Sequence, residues 1–354
     1  METYIPGRPI SAVKEQYGLE KVIKLASNES SLGPFPAALK AIEVNMAELN
    51  RYPDLEATLL RGALSGFYDI APENFLIGNG SNELLRIAGQ AVLNPGDEVV
   101  FAEPSFMLYR MIAELFEAEP VGVPLKNHTH DLKAMLGAIT GKTKLIFVCN
   151  PNNPTGTMVS RKELDDFIDQ VPQNVLVVVD EAYAEFVEDA DNYSTDLTYS
   201  LDRPIIVTRT FSKIYGLAAL RIGYGIAPAP YVQVDKRIRD PFNVNLLAQA
   251  AATASLGEAA EIKKRHELNL ENKRYLYRRL EDLALDYVET QTNFVLINLG
   301  QDSTIVFEKL LKKGVIVRTG EVFGEKYRNF IRVSIGTKEE IDLFLDAVKK
   351  VMEE

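Results

Sequence analysis

The stretch Val175-Leu176-Val177-Val178-Val179-Asp180-Glu181-Ala182-Tyr183 decides the fold. Five apolar residues run without alternation, as in a strand buried on both faces. A half-buried strand would alternate apolar with polar. A carboxylate then closes the run. Burying a charge there is costly unless a cation or a hydrogen-bond donor meets it. In open α/β sheets, ligands bind beyond the carboxyl ends of the strands. Asp180 therefore reads as a site residue, or equally as a helix cap or half of a structural salt bridge.

The pattern recurs outward from this run. Short apolar segments at residues 75–77, 98–101, 144–149, 205–208 and 221–226 are bounded by Gly, Pro, Asn or Asp. Amphipathic helical stretches separate them. Ser160-Arg161-Lys162-Glu163 is a capping box ahead of Leu164, Phe167 and Ile168. Ser81 opens a stretch carrying Leu84, Leu85, Ile87 and Ala88. Strands alternating with helices predict an α/β fold, with a mostly parallel sheet covered by helices on both faces. From about residue 246 the text turns helical for a long stretch. Two more strand candidates follow, at 294–298 and 330–334. A second capping box, Thr337-Lys338-Glu339-Glu340, starts a last helix with Ile341, Phe344, Val348 and Val351 on one face. This part reads as a smaller α+β domain. The expected division is an arm at 1–35 lying on the small domain and the active site, a large domain at 36–240 and a small domain at 241–354.

Composition narrows the function classes. The 354 residues include 39 Lys and Arg against 50 Asp and Glu, for a net charge of −11. That balance disfavours nucleic acid and anionic membrane surfaces as partners. The length supports a core that needs no disulfide or metal. One cysteine, Cys149, permits no intrachain disulfide and suits a reducing compartment. No apolar run could span a bilayer, and the opening residues lack the basic and apolar regions of an export signal. The expected location is the cytoplasm. His128, His130 and His266 form no cluster with ligand spacing, so no metal is expected.

Other polar clusters follow the apolar runs. Gly78-Asn79-Gly80-Ser81 joins a strand to a helix whose N-terminal N–H groups favour an anion, although a plain turn with Ser81 as N-cap reads as well. It is neither a Walker loop nor a full dinucleotide fingerprint. Lys213, in Thr210-Phe211-Ser212-Lys213, sits where desolvation would lower its pKa, as a Schiff-base or general-base lysine needs. A lone loop lysine is more often solvated. Arg221 suits bidentate phosphate binding or a strand-edge salt bridge. Asn153 lies between Pro151 and Pro154 in a rigid loop, and Phe106 could stack on a flat ligand or cover the core.

The order of these pieces is more specific than any one of them. Asn152-Asn153-Pro154-Thr155-Gly156, then Asp180-x-x-Tyr183, then Ser212-Lys213 and Arg221, resembles the fold-type-I pyridoxal-phosphate aminotransferases. Tyr4-Ile5-Pro6-Gly7-Arg8-Pro9, Leu25-Ala26-Ser27-Asn28-Glu29, Asn50-Arg51-Tyr52-Pro53-Asp54 and Phe330-Ile331-Arg332-Val333-Ser334-Ile335-Gly336 are similar to the histidinol-phosphate branch. The resemblance spans essentially the whole chain, and it implies seven strands in the large domain's mostly parallel sheet, sandwiched by helices.

It implies pyridoxal 5'-phosphate, joined covalently to Lys213, which would also be the proton-transferring base. Asp180 would hold the ring nitrogen's proton, and Tyr183 and Asn153 would meet the ring oxygen. Gly80, Ser81, Asn82, Thr210, Ser212 and Arg221 would hold the phosphate end, and Phe106 would stack on the ring, with Tyr109 in reserve for that role. Tyr52 would reach the active site of a neighbouring subunit, so a homodimer is implied. Tyr4, Asn28, Arg318 and Arg332 would meet the substrate, with Arg332 in the place of the family's carboxylate-gripping arginine. The implied reaction moves an amino group between glutamate and imidazole-acetol phosphate, giving histidinol phosphate and 2-oxoglutarate. An aromatic amino-acid aminotransferase and a threonine-phosphate-type decarboxylase share the cofactor residues. A non-catalytic ligand sensor usually carries a fused DNA-binding domain, which is not expected here from the length and the net charge of −11.

Overall fold

The structure, a computed structural model, describes residues 7–193 and 199–353. A short strand, β1 (Ile23–Lys24), precedes the main sheet. That sheet comprises β2 (Phe75–Gly78), β3 (Glu98–Glu103), β4 (Glu119–Pro124), β5 (Thr143–Cys149), β6 (Leu176–Asp180), β7 (Ile205–Thr210) and β8 (Gly223–Ile226). Its order is β2-β8-β7-β6-β5-β3-β4. β8 runs antiparallel to both neighbours, and the other pairings are parallel. The mostly parallel sheet is the one expected from the alternation of strands and helices, and its seven strands match what the resemblance implied.

Strand alternation distributes the core between two faces. Leu145, Phe147, Leu176 and Val178 pack with Leu84, Leu85, Tyr109 and Ile112 on one side. Ile146, Val148, Val177 and Val179 pack with Leu164, Phe167 and Met135 on the other. Each fully buried side chain of this kind contributes about 1.5–3 kcal/mol. Asp180 shares its parity with Leu176 and Val178, so its carboxyl faces the Tyr109 side.

After a helix at Leu246–Leu256, which packs on the helices Pro36–Asn45 and Thr58–Tyr68, the chain runs through the long helix Ala259–Asp282. It then forms β9 (Tyr287–Val288), β10 (Phe294–Asn298), β11 (Val315–Ile316), β12 (Arg318–Thr319) and β13 (Phe330–Ser334). A second sheet has the order β12-β13-β10-β9 and is antiparallel throughout. β11 instead pairs in parallel with β1, tying the early chain to this region. Both predicted capping boxes are formed. Ser160 and Glu163 exchange bonds at the head of Arg161–Ile168, and Thr337 and Glu340 do so at the head of Lys338–Met352. Among the described residues, no helix is long and apolar enough to cross a membrane.

Some elements differ from the sequence reading. β4 was not foreseen, because Pro120, Gly122 and Pro124 disguise it. Proline is tolerated there because β4 is an edge strand. Arg221 does not begin a strand. It stands two residues before β8, with φ 56°. Ser81 is not the cap of its helix. Gly80 holds that position, and no side chain caps the helix N-terminus.

The Asn-Pro-Thr-Gly turn joins the two sheets. Gly156 has φ +76°, and a Cβ on it would run into the Thr290 hydroxyl. Its carbonyl accepts from the Gln291 N–H at 2.7 Å. Gly156→Ala should therefore lower unfolding stability by about 1 kcal/mol or more. The check is the urea midpoint, and an unchanged midpoint would contradict this reading of the turn.

Candidate active site

The polar exits of β5, β6 and β7 open into one cavity of about 1350 Å³. The second sheet closes its far side with Arg318 and Arg332, the turn after β12 adds Phe323, and the early chain adds Ser27, Asn28 and Glu29. Parallel strands put all their carboxyl ends on one edge, which brings residues far apart in sequence together.

Asp180 ends β6 and is 3% exposed. Thr208, its register partner on β7, donates from Oγ1 to Oδ1 at 3.3 Å, and the Tyr109 hydroxyl donates to Oδ2 at 2.8 Å. Burial raises the carboxyl pKa. The bonds from Tyr109 and Thr208, the Ala182 N–H and the charge of Lys213 oppose that rise. Cys149, beside it on β5, is pushed up to about 12, chiefly by burial and then by the Asp180 charge, so it stays a thiol.

Lys213 is half-buried at the cavity wall. Its Nζ donates to the carbonyls of Ser27 at 3.3 Å and Asn28 at 3.0 Å. Burial, and then the positive charges of Arg332 and Arg221, pull its pKa down to about 8, against the opposing pull of Glu29 and Asp180. Its Nζ lies 5.6 Å from the centroid of the Tyr183 ring. Tyr183 is buried, and its hydroxyl accepts from Asn28 Nδ2 at 3.0 Å. Burial raises its pKa first of all, so the phenol is a neutral donor near neutrality.

At the other end of the cavity, the uncapped N-terminus at Ser81 faces Ser212, Thr210 and Arg221. Thr210 Oγ1 donates to Ser212 Oγ at 2.9 Å, and Arg221 Nη1 donates to the Ala218 carbonyl at 3.0 Å. Gly80 has φ +79°, and a Cβ there would strike the Arg221 guanidinium. The loop backbone and the cation are pressed together, as an anion cradle requires. Asn82, on the first turn of the helix, lines the same end.

The donor set fits pyridoxal phosphate. A phosphate matches the Ser81–Arg221 end, a flat ring matches Phe106, a ring nitrogen matches Asp180, and an aldehyde matches the Lys213 amine.

Toward the second sheet, Arg332 Nη1 donates to Asn153 Oδ1 and Nη2 donates to the Ala26 carbonyl at 2.8 Å. Its guanidinium lies 5.3 Å from the centroid of Phe294 and 5.6 Å from that of Phe323. Arg318 on β12 is the register partner of Arg332 on β13, and both are 8% exposed. Directly opposed residues share a face of an antiparallel pair, so two cations stand side by side.

Most sequence-predicted site residues thus meet in the cavity. Tyr52 does not line the cavity of its own chain. It is 82% exposed and stacks on Phe242 with ring centroids 4.6 Å apart. Tyr4 lies outside the described residues. Tyr109, the reserve stacking residue, is no ring cover: it is fully buried beneath Phe106. Sequence reasoning missed Thr208, Asn293 and the main-chain carbonyls of Ser27 and Asn28. Asn293 donates from Nδ2 to the Asn28 carbonyl at 3.1 Å. Only the parallel register of β6 and β7 could have pointed to Thr208.

Comparison with known proteins gives a consistent result. The model of the family "Aminotransferase class I and II" matches residues 20–348. The histidinol-phosphate aminotransferase of Moorella thermoacetica is 46% identical over 99% of this chain and 91% of its own. That of Caldicellulosiruptor saccharolyticus is 43% identical over 99% and 97%. Among solved structures, histidinol-phosphate aminotransferase from Sinorhizobium meliloti in complex with pyridoxal-5'-phosphate superposes with a TM-score of 0.92 at 28% identity, covering 99% of this chain and 95% of that one.

The geometry makes one titration testable. In cofactor-free protein, the Lys213 amine should become reactive toward an acylating reagent with a midpoint near pH 8, about two units below surface lysines. Arg332→Gln removes a positive neighbour and should move that midpoint upward. A midpoint near pH 10, indifferent to Arg332, would contradict this description.

Proposed function

Because the chain belongs to the class I and II aminotransferases, we propose that it moves an amino group between glutamate and imidazole-acetol phosphate, forming histidinol phosphate and 2-oxoglutarate. The observation that carries the substrate assignment is the pair Arg318 and Arg332, in register on adjacent strands inside the cavity. Like charges directly opposite one another destabilise a sheet. A phosphate carrying up to two negative charges offsets that repulsion better than a carboxylate with one. The names of relatives at 40–46% identity over nearly the full chain support the same substrate.

Pyridoxal phosphate supplies the aldehyde that takes up the amino group and the ring that accepts the electrons released at the substrate carbon. The chain's own residues do the rest. Lys213, neutral above about pH 8, takes the proton from the substrate carbon bearing the amine and delivers it to the acceptor carbon. Asp180 keeps the proton on the ring nitrogen. Tyr183 and the Nδ2 amide of Asn153 donate to the ring oxygen. Asn153 Oδ1 meanwhile accepts from Arg332, so one side chain links the substrate-binding arginine to the ring. Ser81, Thr210, Ser212 and Arg221 bind the cofactor phosphate, with Gly80 and Asn82 shaping its seat. Phe106 covers the ring. Asn28 and Tyr4 complete the substrate end.

The active unit in this reading is a homodimer. Leu39, Val44, Leu49, Tyr52, Leu59 and Phe67 are exposed along residues 39–67, an apolar face suited to a second copy. Tyr52 from that face reaches the neighbouring cofactor phosphate. The large unit is 36–240, the small one 241–354 and the arm 1–35. A cytoplasmic setting suits the single buried Cys149.

The test is a half-reaction survey. Histidinol phosphate and glutamate should each convert the bound cofactor to its aminated form. Phenylalanine, tyrosine and threonine phosphate should do so poorly, without release of carbon dioxide. Arg318→Gln should cut kcat/KM for histidinol phosphate by roughly 10- to 100-fold and spare glutamate more. Equal losses on both substrates would contradict the assignment.

A further inference from the structure

We propose that Tyr109 is a positioning residue that fixes both the carboxylate of Asp180 and the ring of Phe106 around the cofactor, an inference that rests on the reading above. Five observations meet at this residue. Tyr109 is wholly buried, and its ring stacks on Phe147 with centroids 4.5 Å apart and planes 13° apart. Phe106 meets it edge-on, at 5.8 Å and 89°. The Tyr109 N–H also donates to the Phe106 carbonyl at 3.0 Å, so main chain and rings are tied together. Its hydroxyl donates to Asp180 Oδ2 at 2.8 Å.

A ring clamped in this way leaves its hydroxyl one place to go. Phe147 lies on β5 beside β6, on the same face as Asp180, so the sheet itself sets the reach from phenol to carboxylate. Tyr109 then occupies one carboxylate oxygen and Thr208 the other. Rotation of the carboxylate is blocked, and its remaining lone pairs are left for the cavity. Burial above all, then the Asp180 charge, holds the phenol well above its ordinary pKa, so it remains a donor at every working pH. A donor to the ionised carboxylate keeps Asp180 ionised. The titratable groups facing Asp180 are Tyr109, Cys149 from β5, Tyr183 and Glu181 beyond its own strand, and Lys213 after β7.

The experiment follows pyridoxal phosphate uptake by the cofactor-free protein across pH 5–9, read by absorbance and intrinsic fluorescence. Tyr109→Phe keeps the stacking ring and removes only the hydroxyl. Its dissociation constant at neutral pH should rise roughly tenfold, the effect of one hydrogen bond to a charged group. The acid limb of its affinity profile should move up by about one pH unit, because Asp180 loses a donor to its ionised form. Phe147→Leu loosens the clamp but keeps the donor, so it should lower the thermal midpoint and move the acid limb less than Tyr109→Phe does. A Tyr109→Phe profile identical to wild type, or weakened equally at all pH values, would overturn the positioning role. Wild-type protein that takes up no pyridoxal phosphate would instead overturn the functional reading itself, and this inference with it.

Discussion

Asp180 can be buried at the end of an apolar strand only because hydrogen-bond donors and a cation converge on it. Val177 and Val179 exclude water from one side, and Val178, Phe147 and Tyr109 exclude it from the other. An unsatisfied carboxylate there would cost several kcal/mol or take up a proton. Tyr109, Thr208, the Ala182 N–H and Lys213 keep it usable as an anion. The mostly parallel sheet is what brings them together, since it aligns the ends of β5, β6 and β7 along one edge.

The lysine faces the complementary constraint. Burial disfavours the charged form of its amine, and Arg332 and Arg221 oppose its positive charge as well. The Ser27 and Asn28 carbonyls receive it instead. Asn28 adopts a left-handed conformation with φ 53°. Ser334 on β13 accepts from its N–H at 2.9 Å, and Asn293 donates to its carbonyl. The early chain, the second sheet and the first sheet therefore meet at one amine. The bond from Arg332 to Asn153 is a second such link.

Much of this was legible in the chain because it rests on local chemistry. An unbroken apolar run followed by Asp180, a lysine after another such run, and two capping boxes each have a physical signature in sequence. What stayed hidden depends on register or on space. Tyr109 and Asp180 stand 71 residues apart in sequence and meet only because helix Leu108–Leu115, packed on β3 and β4, lays the Tyr109 ring across Phe147 of β5. The alignment of Thr208 with Asp180 is set by the pairing of β6 with β7. β4 escaped notice because its prolines are acceptable only at an edge, and edge position is a property of the finished sheet. Ser81 reads as a cap by residue type, yet Gly80 takes that place because the backbone there presses against Arg221.

The central claim is that one amine, at Lys213, carries the cofactor. Borohydride reduction of the pyridoxal-phosphate-loaded protein, followed by peptide mapping, tests it most directly. The account expects a single reduced adduct on the peptide containing Ser212-Lys213. An adduct on another lysine, or none despite a bound chromophore, would contradict it.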